Sequence, residues 1–255
     1  MHGICLALLL DASGSVDAAE WKLQVEATAN ALQSDTVVDR IVRGGGAAVS
    51  AIEFSGGQRI MVPWTSILDK QSAMEFATQL MLYVRQESGS TLAGDALLYA
   101  REYLQVAPAC ERKVVDISAD GWSNGGALVE EGVAANQADG TMVNAIVIED
   151  EMDVLKKYEE AVNGFAIPAT WENYGEGIKK KLQLEMAYWA PPLITPLERA
   201  YMADYYHYEP QWARVTWSYS ELTPPVEAYT ANTVPIEGGV GLLGLGWWLV
   251  NRRKV

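Results

Sequence analysis

The 255-residue sequence predicts an α/β fold: a doubly wound, mostly parallel sheet of the Rossmann-like kind, followed by an irregular aromatic-rich tail. Three observations carry that expectation. Short continuous apolar runs such as Ile4 to Leu10 lack the alternation of a half-exposed strand, so they read as strands buried on both faces. Segments with helical spacing fall between them, and strand–helix alternation calls for a parallel sheet with helices on both sides. The third is that this pattern stops near Ala187, where Trp189-Ala190-Pro191-Pro192 begins different material.

Element by element, Ile4 to Leu10 is the first strand and ends at Asp11. Asp17 with Glu20 three positions on has the form of a capping box, and Trp21, Val25, Thr28, Ala29 and Leu32 recur at helical spacing, giving a helix over about 18–34. Ala47 to Phe54 and Arg59 to Trp64 read as a hairpin through Ser55-Gly56-Gly57. Helices follow over roughly 69–83 and 92–106. Val114 to Ser118 is a strand, 127–138 a helix, 143–148 a strand and 152–162 a helix. A short strand at 165–167 leads to a last helix at 171–186.

Charge divides along the same boundary. Of 33 acidic and 19 basic side chains, 27 and 14 lie in residues 1–186, so nearly all of the −14 net charge belongs to the first part. Such acidity repels a phosphate backbone, which excludes nucleic acid as a partner. Cys5 and Cys110 are too few for a disulfide framework or a cysteine-based zinc site, and they give no strong indication of redox compartment. With His2 and His207 the only histidines and no G-x-S-x-G elbow, covalent catalysis finds no machinery, and the chain is expected not to be an enzyme.

Ligands of open parallel sheets bind at the carboxyl ends of strands, where strand order reverses. There the sequence places hard oxygen donors. Asp11-Ala12-Ser13-Gly14-Ser15 follows the first strand directly, Ser88-Gly89-Ser90-Thr91 precedes a helix, and Ala119-Asp120-Gly121 follows the strand 114–118. Oxygen ligands without imidazole or thiolate suit magnesium, calcium or manganese, and few charged ligands supplemented by water favour magnesium.

These residues resemble the von Willebrand factor A-like domains, whose metal-ion-dependent adhesion site combines Asp-x-Ser-x-Ser with a distant Thr and a distant Asp. Here the positions are Asp11, Ser13, Ser15, Thr91 and Asp120, and the resemblance extends over roughly 3–186. Glu53-Phe54-Ser55-Gly56, Val62-Pro63-Trp64, Thr91 through Leu97 and Asp116 through Gly121 bring it nearest to a bacterial subfamily of uncharacterised function. The resemblance implies a metal held by the hydroxyls of Ser13, Ser15 and Thr91, with Asp11 and Asp120 acting directly or through waters. It also implies one coordination position left for a carboxylate of a partner protein.

Other residues have local readings. Asp116, inside a strand, reads as a buried hydrogen-bonding carboxylate and not a ligand. Asp95 either orients the metal loop from behind or sits as a first-turn carboxylate favoured by its helix dipole. Trp122, after the Asp-Gly turn, either narrows the site or adds a contact. The acid-rich stretch 149–153 lacks EF-hand spacing and reads as a helix start. Gly239-Val240-Gly241-Leu242-Leu243-Gly244 matches a dinucleotide pattern, but no strand precedes it and too little chain follows.

The tail, 187–235, holds ten Trp or Tyr and seven prolines, the makings of an interface or of a wrap around its own domain. Residues 236–255 form a short apolar segment ending in Trp247-Trp248 and Asn251-Arg252-Arg253-Lys254. Its 11 apolar residues would span about 16 Å as a helix, against about 30 Å of hydrocarbon. Membrane contact through this segment and packing into a larger assembly, such as a surface layer or virion particle, both remain open. The run 4–10 lacks a basic flank and cleavage site, so no amino-terminal signal peptide is expected. The sequence does not name a compartment.

Overall fold

In a computed structural model, residues 1–148 and 152–186 are described. Strand β1 (His2–Asp11) is the centre of the architecture, and every residue from Gly3 onward in it is buried. Leu6 and Leu9 are both fully buried and point to opposite faces. Each such side chain contributes roughly 1.5–3 kcal/mol by leaving water, which is why an uninterrupted apolar run ends up in the middle of a sheet.

The chain continues through α1 (Ala18–Leu32), α2 (Asp35–Arg43), β2 (Ala47–Phe54), β3 (Gln58–Ile67), α3 (Lys70–Leu82) and α4 (Ala93–Tyr103), the last extended by a short 3-10 turn. Then come β4 (Cys110–Ala119), α5 (Val129–Ala138), β5 (Thr141–Ile148), α6 (Met152–Ala161), β6 (Ala166–Ala169) and α7 (Tyr174–Met186). The six strands lie in the order β3-β2-β1-β4-β5-β6. All pairs are parallel except β2 with β3, the expected hairpin. From β1 the chain winds outward to β3 and then returns to the other side of β1 as β4. The strand order therefore reverses between β1 and β4, above whose ends Asp11 and Asp120 lie.

Two apolar layers cover the sheet. Leu6, Leu8 and Leu10 face α1, α2, α3 and α7, while Ala7 and Leu9 face α4, α5 and α6. The capping box of α1 forms as expected: Asp17 accepts from the amides of Ala19 (2.7 Å) and Glu20 (2.9 Å), and Glu20 accepts from the amide of Asp17 at 2.7 Å. Pro63 is tolerated because β3 is an edge strand.

Three findings go beyond the sequence expectations. Helix α2 was not anticipated, because Thr36, Val37, Val38, Ile41 and Val42 are β-branched and individually weak helix formers. Burial of Val37, Val38 and Ile41 along one side overrides that preference. Cys5 of β1 and Cys110 at the start of β4, whose pairing the sequence left open, form a disulfide, with Cα atoms 5.8 Å apart. Asp116 is buried, as the sequence suggests, and its partner is the ammonium of Lys181, which the sequence did not name. Among the described residues no helix is long and apolar enough to cross a membrane. The tail expectations for 187–235 and 236–255, His207, the glycine pattern at 239–244 and the acidic positions 149–151 lie outside the described residues.

Candidate metal centre

Three loops meet above the switch point. The first follows β1 directly, where Asp11 accepts from the Ser13 amide at 2.8 Å, a turn that folds the chain back on its own carboxylate. Ser13 and Ser15 hydroxyls are 3.0 Å apart, and Ser15 donates to Asp120 Oδ1 at 2.9 Å. Asp11, Ser13, Thr91 and Asp120 are buried, while Ser15 is exposed at the rim. Hydroxyls and carboxyls thus converge at a place open on one side.

Electrostatics single out Asp11. Burial, and then the charge of Asp120, push its carboxyl up to about 7 against an ordinary 3.8. Two carboxylates brought together away from water resist joint ionisation. Oδ2 of Asp11 is buried, and no hydrogen-bond donor reaches it among the described residues. The same neighbourhood raises the Tyr158 phenol by burial and by the charges of Asp11 and Asp120, and its hydroxyl donates to Gly121 O at 3.3 Å.

The second loop runs from Tyr83 to Leu92, and the sequence did not reveal what holds it. Arg85 projects from it into the first loop. Its Nη2 donates to the carbonyls of Ala12 and Ser13, each at 2.7 Å, and its Nη1 donates to Val16 O at 2.9 Å. The guanidinium also lies over the Trp21 ring, 5.6 Å from its centroid. Beneath, the buried carboxylate of Glu53 accepts from the Tyr83 hydroxyl (2.6 Å) and from the amides of Gln86 (2.9 Å) and Glu87 (3.0 Å). Gly14 N donates to Gly89 O at 2.8 Å, a further tie between the first two loops.

Thr91 is placed through its backbone. Its amide donates to Asn124 Oδ1 at 3.0 Å, and its carbonyl accepts from Asn124 N (3.0 Å) and Ser123 Oγ (3.1 Å) of the third loop. Among the described residues no hydrogen bond joins Thr91 directly to Asp11, Ser13, Ser15 or Asp120. Asp95 accepts from Ala127 N at 3.1 Å, so it contacts the loop that carries Asp120. Gly126 there has φ +69°, and a Cβ on it would come within 2.0 Å of Asp95 Oδ2. Trp122 is half-buried edge-on to Tyr158, with centroids 4.9 Å apart, and Lys157 lies 5.8 Å above its ring.

Arg85, Glu53, Asn124 and Tyr158 were thus missed. Glu53 alone left a trace in the sequence, as the one carboxylate in a mostly apolar strand; buried charge of that kind needs dedicated partners. The donor set at the loops fits a hard cation. It is all oxygen, it includes two carboxyls whose mutual repulsion a cation relieves, and one of their oxygens has no protein donor.

Sheet order, helix layers and the Asp-x-Ser-x-Ser loop at the switch point define a von Willebrand factor A-like fold. Residues 3–190 match the family described as "Protein of unknown function (DUF1194)", and the chain belongs to that family. No curated protein matches it. Among solved structures it is similar to proximal thread matrix protein 1 from the mussel byssus, at 20% identity, TM-score 0.58, over 72% of this chain and 48% of that one. A form of that protein with a zinc-occupied MIDAS motif matches at 19% identity and TM-score 0.57, over 72% of this chain and 46% of the other. The vWF domain of the type V pili tip protein Mfa5 from Porphyromonas gingivalis matches at 8% identity and TM-score 0.56, over 72% of this chain and 95% of that one. The chain spans about half the length of the byssus proteins it matches. At these identities the likeness establishes the fold.

Proposed function

We propose that this chain is a divalent-metal-dependent protein-binding module, not an enzyme, with magnesium held by Asp11, Ser13, Ser15, Thr91 and Asp120. Calcium and manganese suit the same oxygens. The observation that carries the reading is the pair Asp11 and Asp120, both buried: the charge of Asp120 opposes ionisation of Asp11, whose Oδ2 no donor reaches among the described residues. A cation between them relieves both conditions. The partner is a protein that offers an acidic side chain to the open coordination position. That neighbours of the same fold include a pilus tip protein and a byssus thread matrix protein supports a place in a surface or extracellular assembly. The Cys5–Cys110 disulfide supports an oxidising compartment.

The test uses the full chain in a pull-down from its native source, with magnesium and with chelator. Metal-dependent capture that is lost in both Asp11→Ala and Ser13→Ala supports the reading. Capture by both variants as by wild type, with and without chelator, overturns it. A second reading, a structural component held in an assembly by its tail, is favoured by the concentration of 12 of the 24 aromatic residues beyond residue 186. Assembly that survives deletion of residues 188–255 would sink that alternative.

A further inference from the structure

Away from the metal loops, between β4, β5 and α7, the core contains a group of charged and polar side chains that metal binding does not use. Lys181 is 0% exposed, Asp116 and Asn144 are each 1% exposed, and Glu185 is 2% exposed. Asp116 lies in register between Leu8 of β1 and Asn144 of β5, in the layer covered by α7. The Lys181 ammonium contacts Asp116 Oδ1 and is 2.8 Å from Glu185 Oε1. Asn144 Nδ2 donates to the same Glu185 oxygen at 2.7 Å. The Phe165 ring lies 5.8 Å from the ammonium, and no hydrogen-bond donor reaches Asp116 Oδ2 among the described residues. Arg112 donates to the backbone carbonyl of Glu185, and Arg40 to that of Gln183.

An ion pair stripped of water is poorly placed to stay ionised. Low dielectric penalises each charge, and covalent joining of the groups into a neutral product removes that penalty. Burial, with the nearby charge of Glu185, pushes Asp116 up to about 8, so its carboxyl holds a proton near neutral pH. An amine and a carboxylic acid in contact have an effective concentration of order 10⁵–10⁸ M. The bulk water that opposes amide formation in solution is excluded.

We propose that Lys181 and Asp116 condense to an intramolecular amide, with Glu185 as the catalytic proton carrier. Glu185, whose Oε1 is 2.8 Å from the Lys181 ammonium, takes one of its protons, and the freed Nζ lone pair forms a bond to Asp116 Cγ. A second proton from that nitrogen passes through Glu185 to the departing hydroxyl, whose C–O bond breaks, and one water leaves. The ammonium, the Glu185 carboxylate and the Asp116 carboxylic acid become an amide, a Glu185 carboxylic acid and water, with no oxidant, reductant or co-reactant. The product replaces two buried charges by one neutral amide and ties β4 to α7, a tie independent of the disulfide between β1 and β4. It stands independently of the metal reading.

The experiment is mass spectrometry of the purified full chain after reduction of its disulfide, with peptide mapping. The expected result is a mass lower than the sequence by one water, with Asp116 and Lys181 recovered in one branched peptide. Glu185→Gln, which keeps the side-chain volume, is expected at full mass with both residues in linear peptides. Wild type at full mass with two separate linear peptides overturns the proposal. So does a loss of one ammonia mapped to Asn144, and an unchanged water loss in Glu185→Gln overturns the role of Glu185.

Discussion

Arg85 Nη2 donates to the backbone carbonyl of Ser13 at 2.7 Å, so a guanidinium from the loop after α3 closes over the loop that carries three of the five candidate metal ligands. The same group binds the carbonyls on either side, at Ala12 and Val16. Backbone carbonyls have no side chain to reposition them, and a planar donor fork that spans several of them holds the loop in one shape.

Arg85→Ala is therefore expected to weaken magnesium binding by about 10–100-fold, the usual effect of removing a group that orients ligands. Arg85→Lys restores only part of this, because a single ammonium cannot span the carbonyls. Calorimetric titration of each variant checks the order wild type, Lys, Ala. Equal affinities across the three would remove Arg85 from the account of the site.

The raised Asp11 carboxyl is expected to make metal binding pH-dependent. With this group held up to about 7, the cation must displace a proton below that pH. Affinity is then expected to fall about tenfold per pH unit from 7 downward, with one proton released per metal. Measured affinities that stay flat between pH 5 and 7 would contradict the shift.

The metal-free protein responds in the opposite sense. The folded-state value lies above the ordinary 3.8, so between about pH 4 and about 7 the folded chain retains a proton that the unfolded chain gives up. Its stability contribution is present at low pH and is lost as pH rises through 7. The melting temperature of apo wild type is expected to fall relative to Asp11→Asn between pH 5 and 7.5, and excess magnesium is expected to reverse the difference.

Glu53→Gln keeps the shape of the side chain but replaces one acceptor oxygen by a donor beneath the amides of Gln86 and Glu87. A buried hydrogen-bond mismatch of this kind costs about 1–3 kcal/mol. Faster hydrogen exchange at residues 86 and 87, with slower exchange unchanged in β4 and β5, is the expected signature of a loosened second loop.

The disulfide closes a loop of 105 positions between β1 and β4. Reduction, or Cys110→Ser, is expected to lower unfolding free energy by about 2–4 kcal/mol. Urea titration with and without reductant measures this, and identical midpoints would show that the bridge contributes nothing.

Much of the fold was legible because burial on both faces leaves a strand no polar position. The run 4–10 identified β1, the Asp17–Glu20 box marked the start of α1, and Ser55-Gly56-Gly57 marked the hairpin. Helix α2 was not legible, since its β-branched residues argue locally against a helix and only packing on the core reverses the balance. For the site, the ligand-bearing turns could be read from residue type and order. Their supports could not, because Arg85 and Asn124 act on backbone groups of loops distant in sequence, and such contacts impose no local pattern.

The sequence by itself determined the strand–helix alternation, the placement of hard oxygen donors after β1, before α4 and after β4, and the net acidity of the chain. Only the tertiary structure decided that Cys5 meets Cys110, that Asp11 is held beside Asp120 with its carboxyl raised, and that Lys181 meets Asp116 in a dry core. The physical reason is range. Periodicity and capping report on neighbours within a few positions, whereas burial, charge coupling and covalent pairing depend on which surfaces the folded chain brings together.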